Sequence, residues 1–184
     1  MSDTTATDVV VVGAGTAGCY AAATVAAAGA SVVVLERKSA AEAGHIACGD
    51  ALKGADKFPD AIPKAQIASA FTNTDVDHGR FEIPKEETVL EIPVPGELAV
   101  IDRDAFGRLL IDGAEGAGAR FEYDTVVQSV MQDSSGQVTG VQTTRDGVPH
   151  SYTAEVVIEQ ENGYDIGFSW NGQAYDLVAD LQYW

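Results

Sequence analysis

The sequence predicts an α/β protein built on a Rossmann-like parallel sheet. An apolar run at 9–12 leads into a loop at 13–18 with the spacing Gly-x-Gly-x-x-Gly, and a second apolar run at 31–35 ends at Glu36. Continuous apolar runs are typical of strands buried on both faces of a parallel sheet. Strand, glycine loop, helix, strand and acid in this order form the first βαβ unit of a Rossmann-like domain. Alternating patterns in the last third of the chain predict an antiparallel sheet beside it.

Each glycine of the loop has its own physical role in this unit. Gly13 permits a tight turn off the first strand, Gly15 lets the backbone approach a pyrophosphate, and Gly18 lets the helix pack closely. Glu36 is placed to accept hydrogen bonds from both ribose hydroxyls. A glycine-rich turn in another α/β unit is the alternative, but the full context favours a site for an adenine dinucleotide. Because the Glu36 carboxylate would repel a 2′-phosphate, the candidates are FAD and NAD.

A second helix and a third parallel strand are predicted further along the chain. The stretch 102–118 has apolar residues at helical spacing, with Asp102 or Asp104 to cap its start and Gly118 to end it. The third parallel strand is predicted at 119–123. The preceding segment, 37–97, is expected to be irregular and rich in proline. Short strand candidates in and just after it lie at 66–71, 79–83, 88–92 and 98–102.

Three more strand patterns predict an antiparallel meander. They lie at 126–132, 137–145 and 149–158, with turn signals at 133–136 and 146–147. A βαβ unit, a third parallel strand and then a meander is the layout of FAD-binding domains of the glutathione-reductase-like class. An NAD-dependent dehydrogenase would instead continue to alternate strands and helices. The sequence therefore favours FAD.

The predicted organisation has three parts. Residues 1–7 form a disordered lead, 8–158 form the N-terminal half of a split FAD-binding domain, and 159–184 form an aromatic-rich segment. The last segment holds both tryptophans, and Asn171-Gly172 within it predicts a type I′ hairpin. It is interpreted either as the start of a substrate domain or as a disrupted end.

The composition excludes general nucleic-acid binding. The net charge is −17, from 28 acidic against 11 basic residues, so a phosphate backbone would be repelled. Nothing in the sequence resembles a signal peptide or a membrane-spanning run, which predicts a cytoplasmic protein. Cys19 and Cys48 are then expected to be thiols rather than a disulfide.

The acidic, lysine-poor composition also predicts a halophilic protein. In a cytosol of very high salt, screening suppresses the repulsion among surface carboxylates. We expect the chain to lose its fold at low ionic strength. Circular dichroism across a salt series checks this expectation, and full stability at low salt contradicts it.

A thiol, a histidine and a carboxylate come together at 44–52. This stretch contains His45, Cys48 and Asp50. A metal site would need further ligands at suitable spacing, so none is predicted. Taken alone, His45 is more typical of a surface histidine, and Cys48 is more typical of a small buried residue.

Four motifs together resemble the geranylgeranyl reductase family. They are Gly-Ala-Gly-Thr-Ala-Gly at 13–18, Leu-Glu-Arg at 35–37, Cys-Gly-Asp-Ala-Leu at 48–52 and Ile-Asp-Arg-Asp-Ala-Phe at 101–106. The Cys-Gly-Asp-Ala-Leu motif is the specific one, since many flavoproteins share the glycine loop. The resemblance covers residues 8 to about 158. Members of the family are FAD-dependent, and archaeal ones saturate the isoprenoid chains of membrane lipids.

The resemblance implies roles for particular residues. Ala17 and Gly18 would lie at the pyrophosphate of FAD, and Glu36 at the adenosine ribose. Arg103 would contact the cofactor, and Val127 would pass near the adenine. A surface ion pair is the alternative for Arg103.

The resemblance assigns the flavin end of the cofactor to the third motif, at 48–52. The resemblance implies that Cys48, Gly49 and Ala51 border the flavin and that Cys48 is the catalytic residue. A thiol there could tune the flavin or donate a proton after hydride transfer. Loop packing is the alternative for Cys48.

The resemblance is incomplete at the C-terminal side. Relatives run to about twice this length or more, and their later Gly-Asp segment and substrate-cavity motif have no counterpart here. The first hypothesis is therefore the N-terminal portion of an FAD-dependent reductase. Its substrate would be a prenylated lipid, with ferredoxin or a nicotinamide as electron donor and only peripheral membrane contact. The alternatives are another flavin oxidoreductase, hydroxylase-like, and a truncated paralogue that binds a nucleotide without catalysis.

Overall fold

The structure is a computed structural model of the chain, and it describes residues 3–44, 51–83, 88–159, 166–170 and 173–177. The helices are α1 Thr16–Ala27, α2 Lys64–Ala68 and α3 Arg103–Gly116, with a short 3-10 turn at Ala55–Lys57. The first strands are β1 Asp3–Ala6, β2 Val9–Val12, β3 Val32–Leu35, β4 Ala51–Lys53, β5 Phe71–Ile83, β6 Thr88–Ile101 and β7 Arg120–Glu122. The later strands are β8 Thr125–Gln132, β9 Val138–Arg145, β10 Val148–Thr153, β11 Val156–Glu159, β12 Ile166–Trp170 and β13 Gln173–Leu177.

A four-stranded parallel sheet forms the centre of the α/β fold. Its order is β11-β2-β3-β7, and each neighbouring pair is parallel. The side chains of β3 are buried throughout, and those of β2 nearly so, as expected for strands covered on both faces. Helix α1 connects β2 to β3. The predicted βαβ unit and third parallel strand are confirmed.

The predicted single strand at 149–158 is wrong. It divides into β10, which pairs antiparallel with β9, and β11, which pairs parallel with β2. The chain crosses between the sheets at Ala154 and Glu155, whose amides donate to the carbonyls of Thr139 at 3.0 Å and Asp8 at 3.1 Å. Both halves of the stretch have strand-forming side chains, so no turn residue marks the crossing.

The predicted disordered lead at 1–7 is wrong for the part that is described. Strand β1 pairs parallel with β10 and covers the edge of the second sheet, whose order is β1-β10-β9-β8. The Thr7 amide donates to the Thr153 carbonyl at 3.0 Å, and the Thr7 hydroxyl donates to the Ser31 carbonyl at 2.8 Å. In the same sheet β8, β9 and β10 are antiparallel neighbours in chain order.

The segment 37–97 contains more regular structure than predicted. The strand candidate at 66–71 is wrong, because α2 begins after Pro63, a residue favoured at helix starts, and buries Ile67 completely. The candidates at 79–83, 88–92 and 98–102 belong to one long hairpin of β5 and β6. Together with β4 this hairpin forms a three-stranded antiparallel sheet.

The helix predicted at 102–118 is confirmed as α3. Its N-cap is Asp102, whose carboxylate accepts a hydrogen bond from the Ala105 amide at 3.0 Å. Phe106, Leu110 and Ala114 form its buried face, which packs with α1 into the main core. This packing fixes the start of α3 relative to the βαβ unit.

Strands β12 and β13 form an antiparallel pair near the end of the chain. Trp170 lies opposite Gln173 in the register, so two residues connect the strands. The pairing agrees with the predicted hairpin. Its predicted turn, Asn171-Gly172, lies outside the described residues.

Candidate dinucleotide site

The glycine loop has the geometry that its sequence predicts at two of its three glycines. Gly13 has a positive φ of 94°, and its amide donates to the Leu35 carbonyl at 2.8 Å, so the loop turns over the end of β3. A Cβ added to Gly18 would lie only 2.1 Å from the Gly13 carbonyl oxygen. Gly18 therefore permits the close approach of α1 to the loop. Gly15, the N-cap of α1, has an extended conformation that other residues also adopt, so its φ does not require glycine.

The start of α1 is suited to an anion. Gly15 contributes no side-chain cap, and in this described helix the first turn contains no acidic residue. The amides of a first helical turn point along the axis and carry the positive end of the helix dipole. Ala17 and Gly18 belong to this turn. An external phosphate can satisfy such amides in place of a capping side chain.

The Glu36 carboxylate lies against the glycine loop. The side chain is only 8% exposed, and its Oε2 accepts a hydrogen bond from the Ala14 amide at 2.8 Å. Its Oε1 accepts from the Lys38 amide, also at 2.8 Å. The acid therefore joins the end of β3 to the loop after β2. Carboxylate oxygens have further lone pairs, so they can also accept from ribose hydroxyls.

The backbone of Glu36 is held from the opposite side. Its amide donates to the Glu122 carbonyl at 2.9 Å, and its carbonyl accepts from the Thr125 amide at 2.9 Å. Residues on either side of the link between β7 and β8 therefore hydrogen-bond to both the amide and the carbonyl of Glu36. The sequence predicted the role of Glu36 but not these partners, because backbone amides leave no signature in the side-chain pattern.

Cys19 is structural in this site. Its side chain is completely buried, and its thiol donates to the Ala14 carbonyl at 3.5 Å. Burial, followed by the negative charge of Glu36, raises the pKa of Cys19 to about 12. The thiol is therefore protonated at neutral pH and is not a nucleophile.

The start of α3 and the segment after Glu36 meet at a cavity. The cavity has a volume of about 370 Å³ and is lined by Lys38, Ala41, Glu42 and Asp104. Arg103 is the first residue of α3, beside Asp104. The structure thus brings the predicted Arg103 region and the Glu36 strand end to neighbouring positions.

Of the remaining predicted residues, the two that the structure describes lie on different strands. Ala51 is exposed and begins β4, where it pairs with Val100. Val127 lies on β8, and its side chain packs against the core between the two larger sheets. Cys48 and Gly49 lie outside the described residues, as do His45 and Asp50.

Two features are absent from the part of the chain that the structure describes. Within the described ranges, no group of three or more His, Cys, Asp or Glu side chains is arranged to hold a metal ion. Among the helices of the same ranges, none has both the length and the apolar character needed to cross a membrane.

Comparison with known families decides the family. The model of the pyridine nucleotide-disulphide oxidoreductase family matches residues 7–148. The chain belongs to this family. Among curated relatives, digeranylgeranylglycerophospholipid reductase 2 of Methanopyrus kandleri is 32% identical over 82% of this chain and 36% of its own length. The corresponding reductase of Haloferax volcanii is 31% identical over 83% of this chain and 34% of its own length.

Solved structures agree with this family. A geranylgeranyl bacteriochlorophyll reductase-like protein from Thermoplasma acidophilum matches with a TM-score of 0.69 and 25% identity, over 86% of this chain and 40% of that protein. An FAD-dependent halogenase at 20% identity, with a TM-score of 0.68, shares the fold. The predicted resemblance to geranylgeranyl reductases is confirmed. The chain spans only 36% of the first of these reductases and 40% of the solved structure.

The C-terminal part also matches a second family. A model described as a protein of unknown function, DUF1257, covers residues 129–184. The uncharacterized protein ycf35 of Guillardia theta is 68% identical over 31 residues, which are 17% of this chain and 24% of that protein. The two family models overlap at residues 129–148. The aromatic-rich segment, 159–184, therefore lies wholly within the DUF1257 match and beyond the end of the oxidoreductase match.

Proposed function

We propose that this chain binds FAD, as the N-terminal part of a flavin-dependent reductase of the glutathione-reductase-like class. The observation that carries the proposal is the contact between Glu36 and the glycine loop, 2.8 Å from Oε2 to the Ala14 amide. This contact joins a ribose-binding carboxylate to a phosphate-binding helix start in one rigid unit. The adenosine diphosphate end of FAD needs both.

In this proposal, different residues of the chain bind different parts of the cofactor. Amides of the first turn of α1 bind the pyrophosphate, and Glu36 accepts from the ribose hydroxyls. Arg103 contacts the cofactor from the start of α3. Val127 lies near the adenine, where it contributes its backbone because its side chain packs in the core.

The segment that includes Ala51 is proposed to contact the flavin end of the cofactor. Cys48, Gly49 and Ala51 would border the flavin, and the Cys48 thiol would donate the proton that accompanies hydride transfer. When bound, FAD supplies the hydride that saturates a carbon–carbon double bond.

The proposed substrate class is a prenylated lipid. It is supported by the two archaeal lipid reductases that match over most of this chain. Ferredoxin or a nicotinamide would supply the electrons. The protein would be cytoplasmic and would contact the membrane peripherally, through its lipid substrate.

The second candidate is a nucleotide-binding protein without reductase activity. One observation favours it: residues 129–184 match DUF1257, and this match begins within the oxidoreductase match. In this candidate the site holds the adenosine end of a cofactor, and no double bond is reduced.

Titration of the purified 184-residue chain in high salt tests both candidates. We expect FAD to bind with a change in flavin fluorescence, and NAD not to compete. Incubation with a geranylgeranyl lipid and a chemical reductant, followed by mass spectrometry, then separates the candidates. A product two mass units heavier per reduced double bond supports the reductase, since each saturation adds two hydrogens. Bound FAD without product supports the second candidate. No FAD uptake overturns the reductase and leaves only the second candidate.

A further inference from the structure

The segment 38–44 packs on α3 through a contact between two glycine backbones. A Cβ added to Gly107 would lie 2.0 Å from the Gly44 carbonyl oxygen and 2.5 Å from its carbonyl carbon. In the opposite direction, a Cβ added to Gly44 would lie 2.8 Å from the Gly107 carbonyl carbon, and Gly44 has a φ of 82°. Neither position leaves space for a side chain.

A hydrogen bond one residue further along the helix reinforces this contact. Nη2 of Arg108 donates to the Ala41 carbonyl at 3.0 Å. Ala41 and Asp104 both line the cavity described above. Three residues of α3, at positions 104, 107 and 108, therefore face the segment that continues from Glu36.

The contact joins the two parts of the chain that the proposed function assigns to the cofactor. One part is the end of β3 with Glu36, and the other is the start of α3 with Arg103. Gly107 lies one helical turn after Arg103, and Gly44 lies eight residues after Glu36 along the chain. The distance between the two parts depends on how closely these backbones approach.

We propose that Gly107 is a positioning residue for FAD binding, which sets the spacing between the Glu36 strand end and the start of α3. This inference rests on the proposed function. Gly107 does not touch the cofactor. A side chain there forces the segment and the helix apart by roughly 1 Å or more, because carbon–oxygen contacts normally lie at about 3.3–3.6 Å. Binding groups on the two parts then no longer reach the same ligand.

The test compares Gly107→Ala with Gly116→Ala in the full chain. Both changes place alanine in α3, but a Cβ at Gly116 meets nothing within 4 Å. We expect Gly107→Ala to weaken FAD binding at least about tenfold and Gly116→Ala to leave it unchanged. ADP is the second probe, because the groups that the proposed function assigns to it are the glycine loop, Glu36 and Val127, none of which lies on α3. Its affinity is expected to stay within about twofold in both variants.

Arg108→Met provides a variant without a backbone clash. It removes the hydrogen bond to the Ala41 carbonyl, and we expect a several-fold loss of FAD affinity with ADP binding retained. Normal FAD affinity in Gly107→Ala overturns the inference. An equal loss of affinity for FAD and ADP in Gly107→Ala and Arg108→Met also overturns it, since that pattern indicates general misfolding. If the unaltered chain binds ADP but no FAD, the proposed function fails and the positioning role with it.

Discussion

Replacing Gly18 with alanine is expected to abolish measurable FAD binding. The new Cβ would lie 2.1 Å from the Gly13 carbonyl oxygen and 3.2 Å from the Gly13 carbonyl carbon, and both atoms are backbone. Rotation of a side chain cannot relieve this overlap, so either the turn at Gly13 opens or α1 moves away from the sheet. Overpacking of this kind costs about 1–3 kcal/mol of stability. Because the proposed function assigns the pyrophosphate to both the loop and the helix start, we expect FAD affinity to fall at least roughly 100-fold, about 2.7 kcal/mol.

Fluorescence titration with FAD and thermal unfolding together measure this effect. Gly116→Ala is the control, since it makes the same chemical change in a helix but in open space. We expect it to unfold at the same or a higher temperature, because alanine favours helix over glycine. FAD affinity within threefold of the unaltered chain in Gly18→Ala would mean that the loop does not hold the pyrophosphate.

Replacing Glu36 with glutamine is expected to destabilise the chain even without a cofactor. The two carboxylate oxygens accept from two backbone amides, those of Ala14 and Lys38. Glutamine has the same shape but only one acceptor oxygen. Its side-chain NH₂ group would therefore face one of the two backbone N–H groups, and two donors cannot hydrogen-bond to each other. An unsatisfied buried donor costs about 1–3 kcal/mol. The same change removes an acceptor for the ribose hydroxyls, so FAD and ADP should both bind more weakly.

Urea unfolding in the absence and presence of ADP separates the two effects of this change. Glu42→Gln is the matched control, because Glu42 is exposed and its carboxylate accepts only from the nearby Ser39 hydroxyl at 2.8 Å among the hydrogen bonds described here. Surface substitutions of this kind usually change stability by no more than about 0.5 kcal/mol. A Glu36→Gln chain that unfolds with the unaltered free energy would show that the amide contacts contribute little. Unaltered ADP affinity would remove Glu36 from the ribose site.

The elements that could be predicted are those whose side-chain pattern is set by local geometry. The βαβ unit has strands buried on both faces, so its apolar runs are continuous and can be recognised in the sequence. Helix α3 has one buried face and a capping Asp102, and both leave regular marks in the sequence. In the loop, the spacing of the glycines reflects the sterics of a single turn, which Gly18 confirms.

The errors occurred where backbone pairing or distant packing decided the outcome. Strand β1 joins the edge of β10 through main-chain hydrogen bonds, which its polar side chains do not reveal. The stretch 149–158 changes sheets at Ala154 and Glu155 without glycine or proline. Helix α2 was mistaken for a strand because its five residues are too few for a helical period to be recognised.

By itself the sequence determined the class of fold, the glycine loop, the acid at the end of β3 and the family they indicate. These depend on the chemistry of residues within about one supersecondary unit, which a linear pattern can carry. The tertiary structure alone decided which atoms surround that acid and how α3 is held against the segment after it. Glu36 meets the Ala14 amide, and Gly107 meets Gly44, 63 positions earlier in the chain (107 minus 44). The contact between the Gly107 and Gly44 backbones exists only once the elements pack, because neither glycine carries a side chain that specifies the other.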